Sequence, residues 1–528
     1  MSFNEDGVRG FAWPIAQSEY RSVRDSICAR LIATARGSEA AGELIAVLFS
    51  DIVEETLLLY QEVALLRRFA LLGLQPSASR INWRTVGGDG AARPNLPRVE
   101  VLRRGLSPRL STSRKLVRRL RAAKATWGLN SSRKVFSLLG SGAERTVTTQ
   151  ASLPLVRMHA LQHDGFVHSL NPSHWFPPLK TANVSPQVIP PPSCIDDLMG
   201  AISTSFAAGG EELGLANEAY LVPGITELMG LASLRLNDLL RRPRELPEAL
   251  WMGGGAGVWS RLLRHAVRSS GGTVTGHDHG AGVSHIESAY SSLFEFESSD
   301  TFVTFTEGGA DSLRKHMDYQ LTLNAKHVSI ISIRKGRHSS GQNTDGMAKD
   351  SALGNRPYII KSVMYPSSFY PGGFSGHYLQ VPPDIVSLDW EARLFAKLRN
   401  LGFEVLHRPH PQSAAFPVWL AETFGGRTLT GPFEQAMDAA DAYVLTSLQS
   451  STIPGILASG KPVVYIDAAM DRLTAEAREM LGRRCAVLAG TYDGQNRLQV
   501  DWSQLHDAIE RSCELTDMRF IEHYWGLS

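Results

Sequence analysis

Residues 249–280, ALWMGGGAGVWSRLLRHAVRSSGGTVTGHDHG, decide the fold class of this chain. An apolar run ends in glycines, a segment with apolar residues at helical spacing follows, and a short strand-like run leads into two histidines. A strand, a helix and a strand at this spacing form a right-handed βαβ unit of a parallel sheet. We therefore predict an α/β fold with doubly wound sheets.

The alternation of strand and helix signals continues on both sides of a polar segment. DTFVTF (300–305) comes before this segment, and the stretch from YIIKSVMY to KPVVYID (358–467) follows it. The polar segment, 334–357, is rich in Gly, Ser, Asn and Lys, which is the composition of a linker or loop. The pattern predicts two Rossmann-like domains that face each other across a cleft. The expected division is an N-terminal domain over 1–340, a C-terminal domain over 341–500, and helices over 501–528 that pack back toward the N-terminal domain.

The composition is that of a soluble globular protein, with 43% hydrophobic and 20% charged residues among 528. Its 54 basic and 52 acidic residues give a net charge of +2, so no overall field favours nucleic acid. Apolar residues at three- and four-residue spacing from Ile27 to Leu74 predict a helical N-terminal region. Charged residues interrupt that region, so we do not expect a membrane span there. Four scattered cysteines and a polar N-terminus without an apolar core favour a cytoplasmic location.

The basic segment 101–134 is the one local electrostatic signal of a partner. It carries many Arg and Lys residues and neither Asp nor Glu. Such a segment can hold a protein at the inner face of the plasma membrane. The alternative is a solvated helix face or a disordered loop. Nucleic acid is not expected, because Trp127 is its only aromatic residue.

The stretch TVTGHDHGAGVSHIESAY (273–290) places several proton-carrying side chains at the end of a strand. Ligands bind at the carboxyl ends of parallel strands, so His277, Asp278 and His279 are candidate catalytic residues. The alternative is that they are polar loop residues bonded to one another. A metal site formed by His277 and His279 would need a third ligand, Asp278 or Glu287, and acid–base chemistry is preferred. Asp164, in the His-rich loop LQHDGF, is a further candidate base, although a turn is its usual role.

A second polar strand end is FEVLHRPHPQS (403–413). Arg408 and His410 can bind phosphate, and Pro409 and Pro411 would hold His410 in one pose. The structural alternative is that these residues only end the strand. A strand end with Arg, His and two prolines has little packing value, so phosphate binding is favoured.

The third candidate segment of the site is LTSLQSSTIPGILASG (445–460), in which hydroxyl side chains precede a predicted helix. Ser450, Ser451 and Thr452 could bind phosphate together with the unpaired amides of the first helical turn. Capping of the helix by Ser450 or Thr452 uses the same geometry, so both interpretations stand.

The glycine-rich GGGAGVWS (253–260) is a competing signal for a dinucleotide site. Counted from Gly255 and Gly257, the third glycine position of that fingerprint is occupied by Ser260. We therefore interpret these glycines as a tight turn that borders the cleft.

Taken together, these motifs resemble the bacterial surface-polysaccharide glycosyltransferases with the GT-B fold. The motifs are HGAG followed by Glu, then DTFVTF, RPHP, and SSTIPGILASGKPVVYID. The similarity is to the capsule and lipopolysaccharide Kdo transferases and, more distantly, to the CDP-glycerol glycerophosphotransferases. It covers residues 245–470, and the first 240 residues carry almost none of it.

The resemblance implies roles for individual residues. In these families a QHG histidine lies at the active centre, and His279 takes its place here, with Asp278 where Gln is commoner. His410 and Pro411 take the positions of the HP motif that contacts the donor phosphate. Ser450, Ser451 and Thr452 take the positions of the hydroxyl groups that grip it.

The function implied is metal-independent transfer of a sugar from a CMP-activated donor, Kdo or a related ulosonic acid, to a glycan or lipid-linked oligosaccharide. The C-terminal domain would bind the nucleotide sugar and the N-terminal domain the acceptor. No cofactor is expected, since the nucleotide sugar is a substrate. Two alternatives remain: a CDP-alcohol phosphotransferase, or a non-catalytic scaffold of a polysaccharide assembly complex.

Overall fold

The structure of the chain is a computed structural model. It describes residues 13–37, 39–71, 146–163, 165–176, 200, 222–253, 257–280, 283–287, 296, 298–317, 328–333, 359–367, 384–409, 421–468 and 472–527. The predicted linker 334–357, the basic segment 101–134 and most of the Pro-rich stretch 169–193 lie outside these ranges.

The N-terminal half contains two long helices followed by a mixed α/β region. Its elements are α1 (Gln17–Gly37), α2 (Glu39–Leu71), β1 (Thr146–Thr148), α3 (Pro154–Gln162), β2 (Val167–Ser169), α4 (Val222–Leu240), β3 (Ala249–Gly253), α5 (Val258–Ser269), β4 (Thr273–His277), β5 (Thr301–Thr304), α6 (Glu307–Met317) and β6 (Ser329–Ser332). The strands form one parallel sheet in the order β2-β1-β3-β4-β5-β6. The direction of winding reverses between β1 and β3, which is where such sheets bind ligands.

The C-terminal half contains a second parallel sheet. Its elements are β7 (Ser362–Pro366), α7 (Asp384–Asn400), β8 (Glu404–Arg408), β9 (Gly426–Thr428), α8 (Phe433–Ala436), β10 (Ala442–Leu445), α9 (Ile453–Ala458), β11 (Val463–Asp467), α10 (Ala475–Gly482), β12 (Ala486–Ala489), β13 (Thr491–Tyr492), β14 (Leu498–Gln499), α11 (Gln504–Arg511) and α12 (Arg519–Trp525). Six strands are parallel in the order β12-β11-β10-β7-β8-β9, and β13 and β14 form a separate antiparallel pair. This is the strand order of Rossmann domains, with its switch point between β7 and β10.

The predicted pair of doubly wound domains, the architecture of the GT-B fold, is thereby confirmed, as is the helical N-terminal region. The boundaries proposed at 340 and 500 stay predictions. No helix within the described ranges is both long enough and apolar enough to cross a membrane.

Helix α5 shows how the sequence builds the first domain. Val258, Leu262, Leu263 and Ala266 are buried and recur at helical spacing, so one face of α5 packs on the sheet. Helices α2 and α4 pack against the same helix. These helices share one hydrophobic cluster with α5 and with buried residues of β1, β3 and β4.

A buried ion pair ties α5 to α2. Arg261 donates to the carboxylate of Asp51 and, through Nε, to the Val47 carbonyl at 2.5 Å. Both charged side chains are almost fully buried, so removal of either one would leave an unpaired charge in the core.

Main-chain contacts join the two halves near residues 285 and 473. Ile286 and Leu473 form an antiparallel β-bridge, and the Glu287 N–H donates to the Arg472 carbonyl at 2.6 Å. The last helix, α12, packs against α6 of the first half and against α9 and α10 of the second. Thr306 adds a hydrogen bond from its hydroxyl to the His523 carbonyl.

Candidate active site

The loop after β4 carries the first group of candidate residues. His277 is the last residue of β4, and in the sheet it lies between Gly253 of β3 and Val303 of β5. His277, Asp278 and His279 therefore lie at the carboxyl edge of the first sheet, where parallel sheets bind ligands.

His277 is held by hydrogen bonds at both ring nitrogens. Its Nδ1 lies 3.3 Å from the Met252 carbonyl and its Nε2 lies 2.9 Å from Nδ1 of His159. A carbonyl can only accept, so His277 Nδ1 carries the proton, and His159 must donate to Nε2 of a neutral His277. Burial lowers the pKa of His277 to about 3 and that of His159 to about 4. Both rings are neutral at pH 7, and His277 is engaged in the structure instead of being open to a substrate.

Sequence reasoning missed His159. Its ring stacks flat on the indole of Trp251, with the ring centroids 4.0 Å apart. It lies on α3, which follows a strand of only three residues, and nothing in the local pattern links it to His277.

Asp278 shapes the turn that follows. Its side chain is buried, and Oδ1 accepts the Gly280 N–H at 2.8 Å, while its own N–H donates to the Val303 carbonyl at 2.9 Å. Gly280 has φ of +84°, a conformation that glycine adopts without strain. The Asp278 carboxylate therefore fixes the turn on which His279 sits.

His279 is the only one of these three residues whose side chain is partly exposed. Because its two neighbours are engaged inside the protein, His279 is the best placed of the three to meet a substrate. A neutral imidazole at such an edge can accept a proton from a hydroxyl group.

The remaining candidates on this side lie at the junction or outside the described residues. Glu287 is exposed beside the main-chain contact with Arg472. Asp164 lies outside the described residues, so its predicted role stays a prediction.

On the other half, Arg408 ends β8 and holds neighbouring loops together. Its guanidinium donates to the Pro409 carbonyl at 3.1 Å and to the Gly431 carbonyl, with a longer contact to Leu429 at 3.4 Å. These contacts keep Arg408 at the strand end, but they use part of the donor capacity that was predicted to bind phosphate. His410 and Pro411 lie outside the described residues.

The hydroxyl-rich loop after β10 is partly exposed. Ser450 Oγ lies 2.9 Å from Thr452 Oγ1, and the Thr452 N–H points to Ser450 Oγ at 3.4 Å. Ser451 is exposed. Helix α9 begins directly afterwards and is only six residues long. Among the described residues no side chain caps α9, whose N-cap residue is Thr452, so the hydroxyl groups of Ser450, Ser451 and Thr452 lie at the strand end without a capping bond to the helix.

A buried polar network at the carboxyl end of β7 was not predicted. The Ser367 hydroxyl donates to Glu391 Oε1 at 2.5 Å, and the Tyr365 hydroxyl lies 2.8 Å from Thr446 Oγ1. Burial raises the pKa of Glu391 to about 7, and burial also raises the pKa of Tyr365. The signal was available in α7, since Glu391 is four residues before Phe395 and so shares its buried face.

His407 lies in the same layer. It pairs in register with Tyr365, packs against Phe395 with ring centroids 5.3 Å apart, and is fully buried. Burial and the neighbouring Arg408 lower the pKa of His407 to about 4. Neither ring nitrogen of His407 has a hydrogen-bond partner among the residues that the structure describes.

Within the described ranges, one trio of side chains is close enough to share a cation: His506, Asp507 and Glu510 on the surface of α11. His506 and Glu510 are one helical turn apart, with a nitrogen–oxygen distance of 3.7 Å. Exposed groups at this spacing are ordinary on a helix surface.

No known family and no curated protein sequence matches the chain. Among solved structures, the chain is similar to a glycosyltransferase from Rickettsia africae ESF-5, with 12% identity, a TM-score of 0.31, and coverage of 56% of this chain and 76% of that one. It is also similar to a UDP-N-acetylglucosamine 2-epimerase from Rickettsia bellii, with 12% identity, a TM-score of 0.31, and coverage of 53% and 70%. A third is the lipopolysaccharide outer core galactosyltransferase WaaB in its apo form, with 12% identity, a TM-score of 0.27, and coverage of 55% and 79%. Similarities of this size assign no activity, so the function must be inferred from the residues of the chain.

Proposed function

We propose that the chain is a glycosyltransferase of bacterial surface-polysaccharide biosynthesis. The N-terminal half would bind a glycan or lipid-linked acceptor, and the C-terminal half a nucleotide sugar. The observation that carries the proposal is a contact between the loop after β4 and the loop after β10, each of which follows a polar strand end. The ring of His285, in the loop after β4, lies beside the main chain of Leu448, two residues before Ser450.

His279 is the proposed general base. The acceptor hydroxyl oxygen forms a bond to the anomeric carbon of the donor sugar, and its proton passes to the His279 imidazole. The bond between that carbon and the nucleotide phosphate oxygen breaks, and the nucleotide leaves with the electron pair. Asp278 and His277 hold the turn that presents His279.

The developing negative charge on the leaving phosphate needs fixed hydrogen-bond donors or positive charges. Ser451 and Thr452 supply hydroxyl groups at the edge of the second sheet, and Arg408 supplies a positive charge at the end of β8. His410 and Pro411, placed by the motif resemblance, complete the proposed phosphate site.

The proposed donor is a CMP-linked 3-deoxy-2-ulosonic acid, on the resemblance of RPHP and SSTIPGILASGKPVVYID to the Kdo transferases. The acceptor is proposed to reach the site at the membrane surface, with contact through 101–134. That segment lies outside the described residues, and the contact stays a prediction.

The test is a donor screen with wild type and His279→Ala. CMP-Kdo, CDP-glycerol, a UDP-sugar and a GDP-sugar are each incubated with an extract of lipid-linked oligosaccharides, and nucleotide release and glycan mass are measured. Release of CMP with a matching mass gain, lost in His279→Ala, is the expected result. Transfer of glycerol phosphate would instead identify the phosphotransferase. If no donor is consumed, the enzyme proposal fails and the scaffold alternative takes its place.

A further inference from the structure

His285 lies in a cage of aromatic side chains at the junction of the two halves. Its ring centroid is 5.4 Å from those of Phe520 and Tyr524 and 5.1 Å from that of Trp525, and the residue has no exposed surface. All three aromatic residues belong to α12. The last helix of the chain therefore encloses a residue from the loop after β4.

Three segments converge on this residue. The His285 carbonyl accepts the Thr474 N–H at 3.2 Å, and the next residue forms the bridge to Leu473. The Leu448 main chain lies beside the His285 ring. His285 is thus in contact with the proposed donor loop, while its own segment carries the proposed base.

The chemistry of this site is unusual for a packing residue. Burial lowers the pKa of His285 to about 3, an effect opposed by the Leu448 carbonyl, so the ring is neutral at pH 7. A neutral imidazole always carries one N–H. The Leu448 carbonyl approaches the ring without reaching hydrogen-bond geometry, and neither ring nitrogen has another partner among the described residues. A buried donor without a partner costs about 1–3 kcal/mol, and an aromatic hydrocarbon would fill the cage without that cost.

The aromatic cage also contacts the turn of the proposed base. A Cβ added to Gly280 would lie 3.9 Å from Nε1 of Trp525. Trp525 therefore packs on both His285 and the turn fixed by Asp278. A shift of His285 or of α12 can therefore reach His279 through Trp525 and the turn at Gly280.

We propose that His285 is a positioning residue that couples the two halves of the site. Through the contact between the Leu448 main chain and the His285 ring, a nucleotide bound at the loop after β10 would hold the described residues of the loop after β4, 277–280 and 283–287, in one position. This coupling rests on the proposed function, because it takes the loop after β10 as the nucleotide side.

Hydrogen exchange with and without nucleotide tests the coupling. The probe is the tightest binder among CMP, CDP, UDP and GDP, at saturation. His285→Phe keeps the aromatic packing and removes both nitrogens, His285→Gln keeps an N–H donor, and His506→Phe makes the same change on the exposed surface of α11. The melting temperature of each variant establishes that it is folded.

In wild type and His506→Phe, nucleotide should slow amide exchange in both 446–452 and 277–287. The slowing in 277–287 should be at least about fivefold, the lower end of ordinary coupling between sites. In His285→Phe the slowing in 446–452 should remain and that in 277–287 should disappear, and His285→Gln should restore part of it.

The outcomes separate the two proposals. If nucleotide protects 446–452 in every variant and 277–287 responds equally in His285→Phe, or not at all in wild type, the coupling is overturned while the nucleotide site stands. If no nucleotide binds wild type, the proposed function is overturned and the coupling with it. If His285→Phe does not fold, His285→Gln is compared with His506→Phe. Weaker nucleotide-induced protection of 277–287 in His285→Gln supports the coupling, and equal protection in the two variants overturns it.

Discussion

The two polar edges of the molecule are built in different ways. At the end of β4, His277 is bonded to His159 and Met252, and Asp278 is bonded to the Gly280 amide. At the ends of β7 and β8, Glu391 Oε2 and both nitrogens of His407 are buried without a hydrogen-bond partner among the described residues.

The difference shows how each edge can serve chemistry. The bonds of His277 and Asp278 hold one partly exposed side chain, His279, in a fixed place, as a base must be held. Burial keeps Glu391 protonated at the second edge and keeps His277 neutral at the first, so the two edges should respond to pH with opposite sign. The predictions below test this contrast, beginning with the largest effect.

His279→Ala should reduce the rate of sugar transfer by about 10²–10⁴-fold, the usual contribution of a general base. Because His279 is partly exposed, the melting temperature should change little. The rate is measured with the donor identified in the screen, and His506→Ala is the control. A variant that keeps full activity would remove His279 from the mechanism.

Glu391→Gln should change how stability depends on pH. Burial raises the folded pKa of Glu391 to about 7 from an ordinary 4.5, so the folded protein holds a proton that the unfolded chain releases between these values. The stabilisation that comes from protonated Glu391 should therefore be complete below pH 4.5. It should be lost as pH rises toward and through 7, which lowers the free energy of unfolding by about 3 kcal/mol in all. Urea unfolding at pH 5 and pH 8 should show that the free energy of unfolding of Glu391→Gln, relative to that of wild type, is higher at pH 8 than at pH 5. Parallel pH curves would contradict the buried, protonated carboxyl.

The His159–His277 pair should make the free energy of unfolding depend on pH in the opposite direction. Both folded pKa values lie below the ordinary 6.5, so the unfolded chain binds protons first, and stability should be lost as pH falls below 6.5 toward 3. For His277 the loss at pH 5 is about 2 kcal/mol. His277→Asn, whose amide offers both a donor and an acceptor, should show a shallower fall in the free energy of unfolding between pH 7 and pH 5. An unchanged slope would show that His277 is not the group that titrates.

Ser450→Ala and Thr452→Ala should separate capping from phosphate binding. The Ser450 hydroxyl approaches only the amide of the N-cap residue, Thr452, so its loss should cost less stability than the ~1 kcal/mol of a helix cap. Thr452→Ala should leave stability nearly unchanged and weaken nucleotide binding. Denaturation and calorimetry on both variants would distinguish these effects, and a loss of stability without any loss of nucleotide binding would show that the loop only starts α9.

The fold was predictable wherever apolar residues repeat over a whole element. The strand, helix and strand of 249–280 were found because a run of five residues and a helix of twelve carry a clear period. Strands β1, β2 and β9 have three residues each, too few to show any period, so their positions could not be fixed from the sequence.

The site was only half predictable, because it depends on contacts between distant residues. The strand-end positions of His277, Asp278, His279 and Arg408 followed from local pattern, but their bonding did not. Arg408 is held by carbonyls from a later loop, and His277 by a histidine on α3. No local pattern singles out His285, because the aromatic side chains around it belong to the last helix of the chain.

The most direct test of the account is calorimetric titration of CMP, CDP, UDP and GDP into wild type and His410→Ala. The account predicts that a cytidine nucleotide binds wild type best. It also predicts binding at least about tenfold weaker in His410→Ala, the loss expected when a charge-assisted hydrogen bond to phosphate is removed, with an unchanged melting temperature. Absence of nucleotide binding to wild type, or equal binding by the variant, would contradict it.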